Sequence, residues 1–560
     1  MAKTKTGFQT PWSVRAAEFA LFTALFAVLG WPAIATVRAT LVTTSAPSES
    51  RPALLSTASA SGLTADLPRP ARLALETIRV VLATEFGALL IGVPLALLLF
   101  RTDVRGRRIA LGLLILAAFV PLPIYATAWL GAFGNAGRAR LFGMRPWLAG
   151  WPGVAVIHAL ASVPWVVILA GLGFRTVEPE LEESALLDLP AWKVAFHVTL
   201  RRGLGAFAAA ALAVAVLTAG EMTVTDLLQV RTYAEEAYNQ SQLGNGPAAM
   251  SAVALPPIAI LGTLLLIGTR ALTRLDPTRL ASAAARAKTW RLGFWRVPLG
   301  VLTMLSVTAL TGLPLWSMIW HAGRVGGLAS SGQAPVWSLA GFLGTLLRAW
   351  SDASEALTLS AALAAIGASL ALFLAWPLAW MARKPGLWQW VAILSVAFAL
   401  ATPGPVVGMA LVFAYGSITP FYDSAAMIVL ADMVRTFPYA LLILWPAIHG
   451  IPKEHLAAAA VDGLSPFMRV WRVALPLTRG ATVAAWAVSF ALALGELPAT
   501  YLVAPPGLTP LSIVIWGMLH TGVESRLAGI VLIMLAAVGV AGGFAAFAIQ
   551  RLVFRGESSK

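Results

Sequence analysis

Apolar runs of about 20 residues or more recur about twelve times along this chain, and nothing else in the sequence restricts its fold so strongly. They lie near 16–37, 77–100, 109–133, 152–174, 204–228, 249–270, 297–320, 356–381, 388–416, 424–448, 480–503 and 526–549. A run of that length crosses a hydrocarbon layer of roughly 30 Å as a helix. A large soluble core would instead need breaks every roughly 10–15 residues, and they are absent. Apolar residues make up 59% of the chain and charged ones 12%, against roughly 45–50% and about 25% in soluble domains. The expected fold is an all-α polytopic membrane protein of about twelve transmembrane helices.

Landmarks in the first six runs return in the last six. Gly220-Glu221 recurs 275 residues later as Gly495-Glu496, and Pro164 recurs 274 later as Pro438. Pro121-Leu122-Pro123 answers to Pro403-Gly404-Pro405, and Val198-Thr199-Leu200 to Val473-Ala474-Leu475. A period this long is a duplicated domain, since solenoid units run roughly 20–50 residues. The chain reads as two homologous six-helix halves, 1–280 and 297–560, joined by a basic linker at 281–296. Duplicated halves in a membrane protein point to transport.

The formal charge of +15 is distributed by side. With alternate loops assigned to opposite sides, the side holding the N-terminus receives 26 Lys and Arg and the other receives nine. The positive-inside rule then places both termini in the cytoplasm. The basic balance is thus a topology signal, and no nucleic-acid partner is expected. Arg138, Arg140 and Arg145 run against the pattern. The segment from Arg38 to Arg72, rich in Ser, Thr, Ala and Pro, reads as a flexible outer loop.

The first apolar run, Ala16 to Val37, exceeds the roughly 7–15 residues of a signal-peptide core and reads as an uncleaved helix. The chain has no cysteine, which excludes disulfides, thiolate metal sites and Cys nucleophiles. His158, His197, His321, His449, His455 and His520 show no metal-ligand spacing. No G-x-x-x-x-G-K-[ST] phosphate loop occurs, so no ATP hydrolysis by that route is expected in this chain, and no cofactor or metal within it.

Two long polar interruptions, Arg175–Arg202 and Gly450–Arg479, fall between the fourth and fifth run of each half, on the cytoplasmic side. The second reads as helix, turn, helix. Pro452 suits a first turn, and Lys453 to Asp462 are good helix formers including four consecutive alanines. Gly463 supplies a left-handed stop. Ser465 caps the next helix, with Pro466 at its first position. A flat, small-residue helix invites close approach by another protein, although a helix merely packed under its own bundle has the same composition.

Ala458-Ala459-Ala460-Val461-Asp462-Gly463-Leu464-Ser465-Pro466, followed by Trp471 to Leu477, closely resembles the EAA signature of bacterial ABC-importer permeases. Glu182-Glu183-Ser184-Ala185-Leu186-Leu187-Asp188 is a degraded first-half copy, with Asp188 where the glycine stands, while the second copy has Ala457 at the Glu position. The resemblance implies the type I importer transmembrane fold, with coupling helices at about 180–193 and 456–468. Glu182, Glu183, Ala185, Asp188, Ala458, Ala459, Asp462 and Gly463 would then meet two separate ATP-binding cassette subunits that carry the ATP and Mg. An extracytoplasmic solute-binding protein would be the other partner. The implied location is the bacterial cytoplasmic (inner) membrane, the surrounding lipid being the remaining contact. Two halves fused in one chain are similar to the ferric-iron and thiamine importer group, and Gly220 to Leu228 with Arg231 to Glu236 looks most like its ferric-iron side.

Glu221 and Glu496 occupy equivalent places at membrane depth, where an ionisable group normally faces a bundle interior or a water-filled path. With Asp226 they are candidates to line a pathway for a hard, cationic solute. They read equally as outer-mouth residues or as structural acids satisfied by neighbouring groups. The proline pairs at 121/123 and 403/405 would break or kink their helices. A six-plus-six architecture also describes major-facilitator carriers. The loop Arg101 to Arg108 partly matches their gate motif, but Val104 replaces its first arginine.

Overall fold

A computed structural model of the chain describes residues 12–44, 68–134, 145–244, 246–273, 289–326, 335–519 and 525–554. Both termini (1–11 and 555–560), most of the expected outer loop (45–67), Arg138, Arg140, His520 and residues 281–288 of the linker lie outside them. The described chain is almost wholly helical, apart from one short antiparallel pair, Arg324–Val325 with Val336–Trp337.

Among the described residues eight helices are long and apolar enough to cross a membrane, or up to eleven spans if each of three bent pairs counts as one. The expected span near 249–270 coincides with the Gly246–Thr273 helix, 28 residues long, whose apolar stretch Ala252–Gly268 is not included in that count. The expected span 356–381 is the end of a 43-residue helix, Leu339–Met381. At 1.5 Å per residue that helix is about 65 Å long, more than any bilayer needs. Ser338 caps it by accepting from the Gly341 N–H.

Two of the bends have one cause. Helices Arg107–Ala118 and Leu122–Phe133 meet at 105°, and Leu387–Ala401 and Gly404–Tyr415 at 109°. Pro121 and Pro403 begin the second member of each pair with extended ψ of 134° and 147°. Proline has no N–H to continue the preceding ladder, and its ring forces the residue before it out of helical conformation. The proline pairs therefore redirect the chain rather than merely kink it. The third bend, 70°, separates Trp192–Leu200 from Leu204–Ala219.

Packing follows the same plan on both sides of the linker. Helices Arg69–Arg101, Gly150–Arg175 and Leu204–Ala219 pack mutually, as do Leu339–Met381, Ala425–His449 and Leu475–Leu494. The first helix of each half crosses to the other half. Trp31–Thr44 lies on Gly404–Tyr415, where the Trp31 indole donates to the Ala414 carbonyl (3.2 Å). Arg296–Gly323 lies on Leu122–Phe133, where the Tyr125 hydroxyl donates to the Leu310 carbonyl (3.1 Å). The largest buried cluster accordingly mixes both halves, with Leu99, Phe174 and Met222 beside Val307, Leu494 and Val531.

Candidate functional site

The bent pairs enclose a cavity of about 210 Å³. Its wall includes Pro121, Pro123, His158, Trp165, Gly220 and Glu221 from the first half, and Thr402, Arg435, Tyr439, Gly495, Glu496 and Pro498 from the second. Trp165 and Tyr439 meet across it with ring centroids 6.2 Å apart. The conformation of the repeated Gly-Glu pair comes from helix endings. The helices before it stop at Ala219 and Leu494, so Glu221 and Glu496 stand in turns and not within fifth spans reaching 228 and 503.

Each glutamate folds forward onto the backbone that follows it. Glu221 accepts from the N–H groups of Thr223 (2.6 Å) and Val224 (3.0 Å) and from the Thr223 hydroxyl. Glu496 accepts from the N–H groups of Ala499 (3.0 Å) and Thr500 (2.8 Å). Charge-assisted bonds to free amides are what allow a carboxylate to stay in a dry interior. The residue before each glutamate is a glycine, and at Gly495 contact requires it. A Cβ on Gly495 would lie 2.4 Å from Pro121 Cγ, and the Cβ position of Gly220 is 3.8 Å from Pro403 Cα. Each helix end thus abuts the proline corner of the opposite half.

The charged partners differ between halves. His158 Nε2 lies 3.3 Å from Glu221 Oε2, while its Nδ1 is 2.9 Å from the Val154 carbonyl. At the position 274 residues on stands Asp432, buried, accepting from the Thr500 hydroxyl at 3.4 Å. Glu496 is instead faced by Arg435, whose Nε is 3.8 Å away and whose Nη1 donates to the Thr402 carbonyl (3.1 Å). Asp226 sits on the Thr223–Leu227 helix outside the cavity wall, which separates it from the other two candidates. His158, Arg435 and Asp432 were not candidates in the sequence, though register with the Pro164/Pro438 landmark would have aligned His158 with Asp432.

Farther along the chain, the two polar segments form short helices, Pro179–Asp188 and Lys453–Val461. Each leads into a π-helical turn, Ala195–Leu200 and Val470–Ala474. Gly463 has φ of +80° and nothing within 4 Å of its Cβ position, and Ser465 accepts from the Met468 N–H. Ala458, Asp462, Glu183 and Asp188 are exposed, Ala185 is half-buried and Ala459 is buried. Large apolar side chains nonetheless face outward, among them Leu187 (87% exposed), Trp192, Phe196, Val461 (88%), Phe467 and Trp471. One expected contact residue faces the other way. Glu182 is 3% exposed and paired with buried Arg101, so it is not available to a docking surface. Burial raises its carboxyl above the usual range, with Arg101 opposing the shift.

Residues 367–558 match the family described as binding-protein-dependent transport system inner membrane component. The chain is 22% identical to the Fe(3+)-transport system permease protein FbpB 2 of Haemophilus influenzae, over 80% of this chain and 84% of that protein. It is 28% identical to the sn-glycerol-3-phosphate transport system permease protein UgpA of Yersinia pseudotuberculosis, over 33% of this chain and 68% of that protein. It is 23% identical to the putrescine transport system permease protein PotI of Escherichia coli, over 27% of this chain and 56% of that protein. Apolar spans and these relatives agree: over residues 367–558 this is an inner-membrane component of the binding-protein-dependent transport family, and the chain as a whole is similar to ABC transport permeases.

Proposed function

We propose that the chain supplies both transmembrane halves of an ATP-driven, binding-protein-dependent importer of ferric iron. The two halves are 1–280 and 297–560, both termini are cytoplasmic, and the pathway runs through the cavity at Glu221 and Glu496. The observation that carries the reading is the matched pair of short exposed helices whose apolar residues have no cover within the described chain. Aromatic and aliphatic side chains grouped on an otherwise polar surface mark a protein contact. Two ATP-binding cassette subunits, carrying ATP and Mg, would cover Leu187, Trp192 and Phe196 in one half and Val461, Phe467 and Trp471 in the other. Ala458, Asp462, Gly463, Glu183, Ala185 and Asp188 would complete these surfaces. A solute-binding protein would deliver from the opposite side.

Ferric iron is favoured because the relative named for it aligns over 80% of the chain, whereas the glycerol-phosphate and putrescine relatives align over a third or less. The cavity volume of about 210 Å³ is that of about seven waters at roughly 30 Å³ each, the size of a hydrated ion or a small solute. Thiamine or another small solute is the second reading. The test is affinity purification of the chain from its native membrane with mass spectrometry of its partners, repeated with Gly463→Arg, together with uptake of labelled ferric iron and of thiamine. An ATPase subunit lost in the variant, with iron uptake dependent on the chain, supports the proposal. An intact chain without any ATPase partner refutes it, and thiamine uptake alone replaces the solute.

A further inference from the structure

Arg101 is among the largest fully buried side chains of the described protein, at 0% exposure, and its contacts reach three other segments. It ends the Arg69–Arg101 helix. Its Nη1 donates to the Phe174 carbonyl at 3.2 Å, at the end of the Gly150–Arg175 helix, and its Nη2 pairs with Glu182 Oε2 on the Pro179–Asp188 helix. The guanidinium lies 5.4 Å from the ring centroid of Trp290, whose backbone N–H donates to the Arg101 carbonyl at 2.7 Å. Glu182 extends the network, because its Oε1 accepts from the buried Thr199 hydroxyl at 2.6 Å. Thr199 lies in the π turn that leads into Leu204–Ala219, the helix ending at Gly220-Glu221 beside the cavity.

The second half has no counterpart. At the repeat offsets of 282 and 275, the positions of Arg101, Glu182 and Thr199 are held by Arg383, Ala457 and Ala474. Arg383 stacks on Trp380 at 4.5 Å, and there is no carboxylate at 457 to meet it. The Lys453–Val461 helix buries only Ala459. It is closed by backbone bonds such as Leu464 N–H to the Ala459 carbonyl, 3.0 Å.

We infer that Arg101 is a positioning residue for transport: through Glu182 it fixes the first short helix to three membrane helices, so that a displacement of that helix reaches the cavity wall through Thr199. The inference rests on the proposed docking of an ATPase on that helix. It makes the two docking points unequal, the first rigidly tied to its half and the second tied loosely. A buried ion pair suits this task because its geometry is specific, whereas apolar packing of the same volume holds a helix in place with less directional constraint.

The test uses the complete transporter with Arg101→Met combined with Glu182→Leu, which removes both charges together and leaves neither stranded. The expected result is a chain that still co-purifies with its ATPase and hydrolyses ATP while solute moved per ATP falls about tenfold. A wild-type ratio of uptake to hydrolysis in that variant overturns the inference. If even the wild-type chain brings no ATPase, the docking reading fails and the inference falls with it, a result distinct from preserved coupling. A second measurement needs no substitution. In the purified full-length chain, amide exchange should be slower across Pro179–Asp188 than across Lys453–Val461, and equal or faster exchange in the first helix overturns the rigid tie.

Discussion

Gly495→Ala separates two positions that the repeat makes equivalent. The added Cβ would stand 2.4 Å from Pro121 Cγ and 2.8 Å from Pro121 Cβ. Comfortable carbon contacts begin near roughly 3.5 Å, so one half must withdraw from the other by about 1 Å. The proline cannot yield by changing rotamer, because its ring is closed on the backbone at the corner that starts Leu122–Phe133. Backbone strain plays no part, since Gly495 has φ of −102°. Overpacking of this kind costs about 1–3 kcal/mol, offset by about 0.4–1 kcal/mol from the stiffer unfolded chain. At Gly220 the nearest atoms are the Val216 carbonyl oxygen at 3.2 Å and Pro403 Cα at 3.8 Å, so Gly220→Ala should cost less than about 1 kcal/mol. Thermal unfolding of the two purified variants in detergent measures the difference. Cysteine pairs in place of Trp165 and Tyr439, in a chain with no other cysteine, report whether the halves have moved apart. Equal melting temperatures, or a larger loss at Gly220, would refute the interlocking of helix end and proline corner.

Three further predictions concern single side chains. Gly463→Asn should keep the helix ending, since Asn tolerates left-handed φ, yet reduce ATPase co-purification if a side chain there blocks docking. Full retention with Asn but loss with Ala would mean that only the backbone conformation matters. Glu235, on the Tyr233–Gln242 helix, has its carboxyl pushed up to about 7 by burial, opposed by Arg231 and the Asn239 hydrogen bond and reinforced by Glu236 and Asp226. The folded chain therefore holds a proton that the unfolded chain releases above about 4.5, and stability falls as pH rises from there to about 7. Glu235→Gln should melt higher than the parent near about pH 8, by up to about 3 kcal/mol, and level with it near about pH 4; no gain at the higher pH contradicts this. His158→Gln should leave Glu221 bonded to the Thr223 and Val224 amides but without the imidazole 3.3 Å from its carboxylate, lowering uptake with little change in unfolding temperature. Unchanged uptake would confine the pair to a structural role.

The spans and the places where they break were legible because composition and proline act locally. Runs of apolar residues located nearly every membrane helix, and Pro121 and Pro403 mark the two corners within a residue. Gly463 and Ser465 likewise took the conformations their chemistry requires. What the sequence hid is pairing across distance. His158 meets Glu221 from 63 residues away, and Arg101 meets Glu182 from 81, with no local pattern to announce either. Glu182 shows the consequence: its position in the EAA-like segment suggests a surface contact, and only the buried guanidinium behind it turns the side chain inward.

Helices Arg69–Arg101, Gly150–Arg175 and Leu204–Ala219 pack as Leu339–Met381, Ala425–His449 and Leu475–Leu494 do, yet the two groups differ in the charges they bury. Glu221 faces the His158 imidazole while Glu496 faces the Arg435 guanidinium. Glu182 faces Arg101 while Ala457 leaves Arg383 on an indole. Backbone amides satisfy Glu221 and Glu496 in the same way, so the common frame comes from those bonds and the proline corners. The side-chain partners then set how each half responds. Exchanging them, with His158→Arg against Arg435→His, tests that division directly. The fold should survive because the amide bonds remain, while uptake should fall, and unchanged uptake would show that the partners are interchangeable.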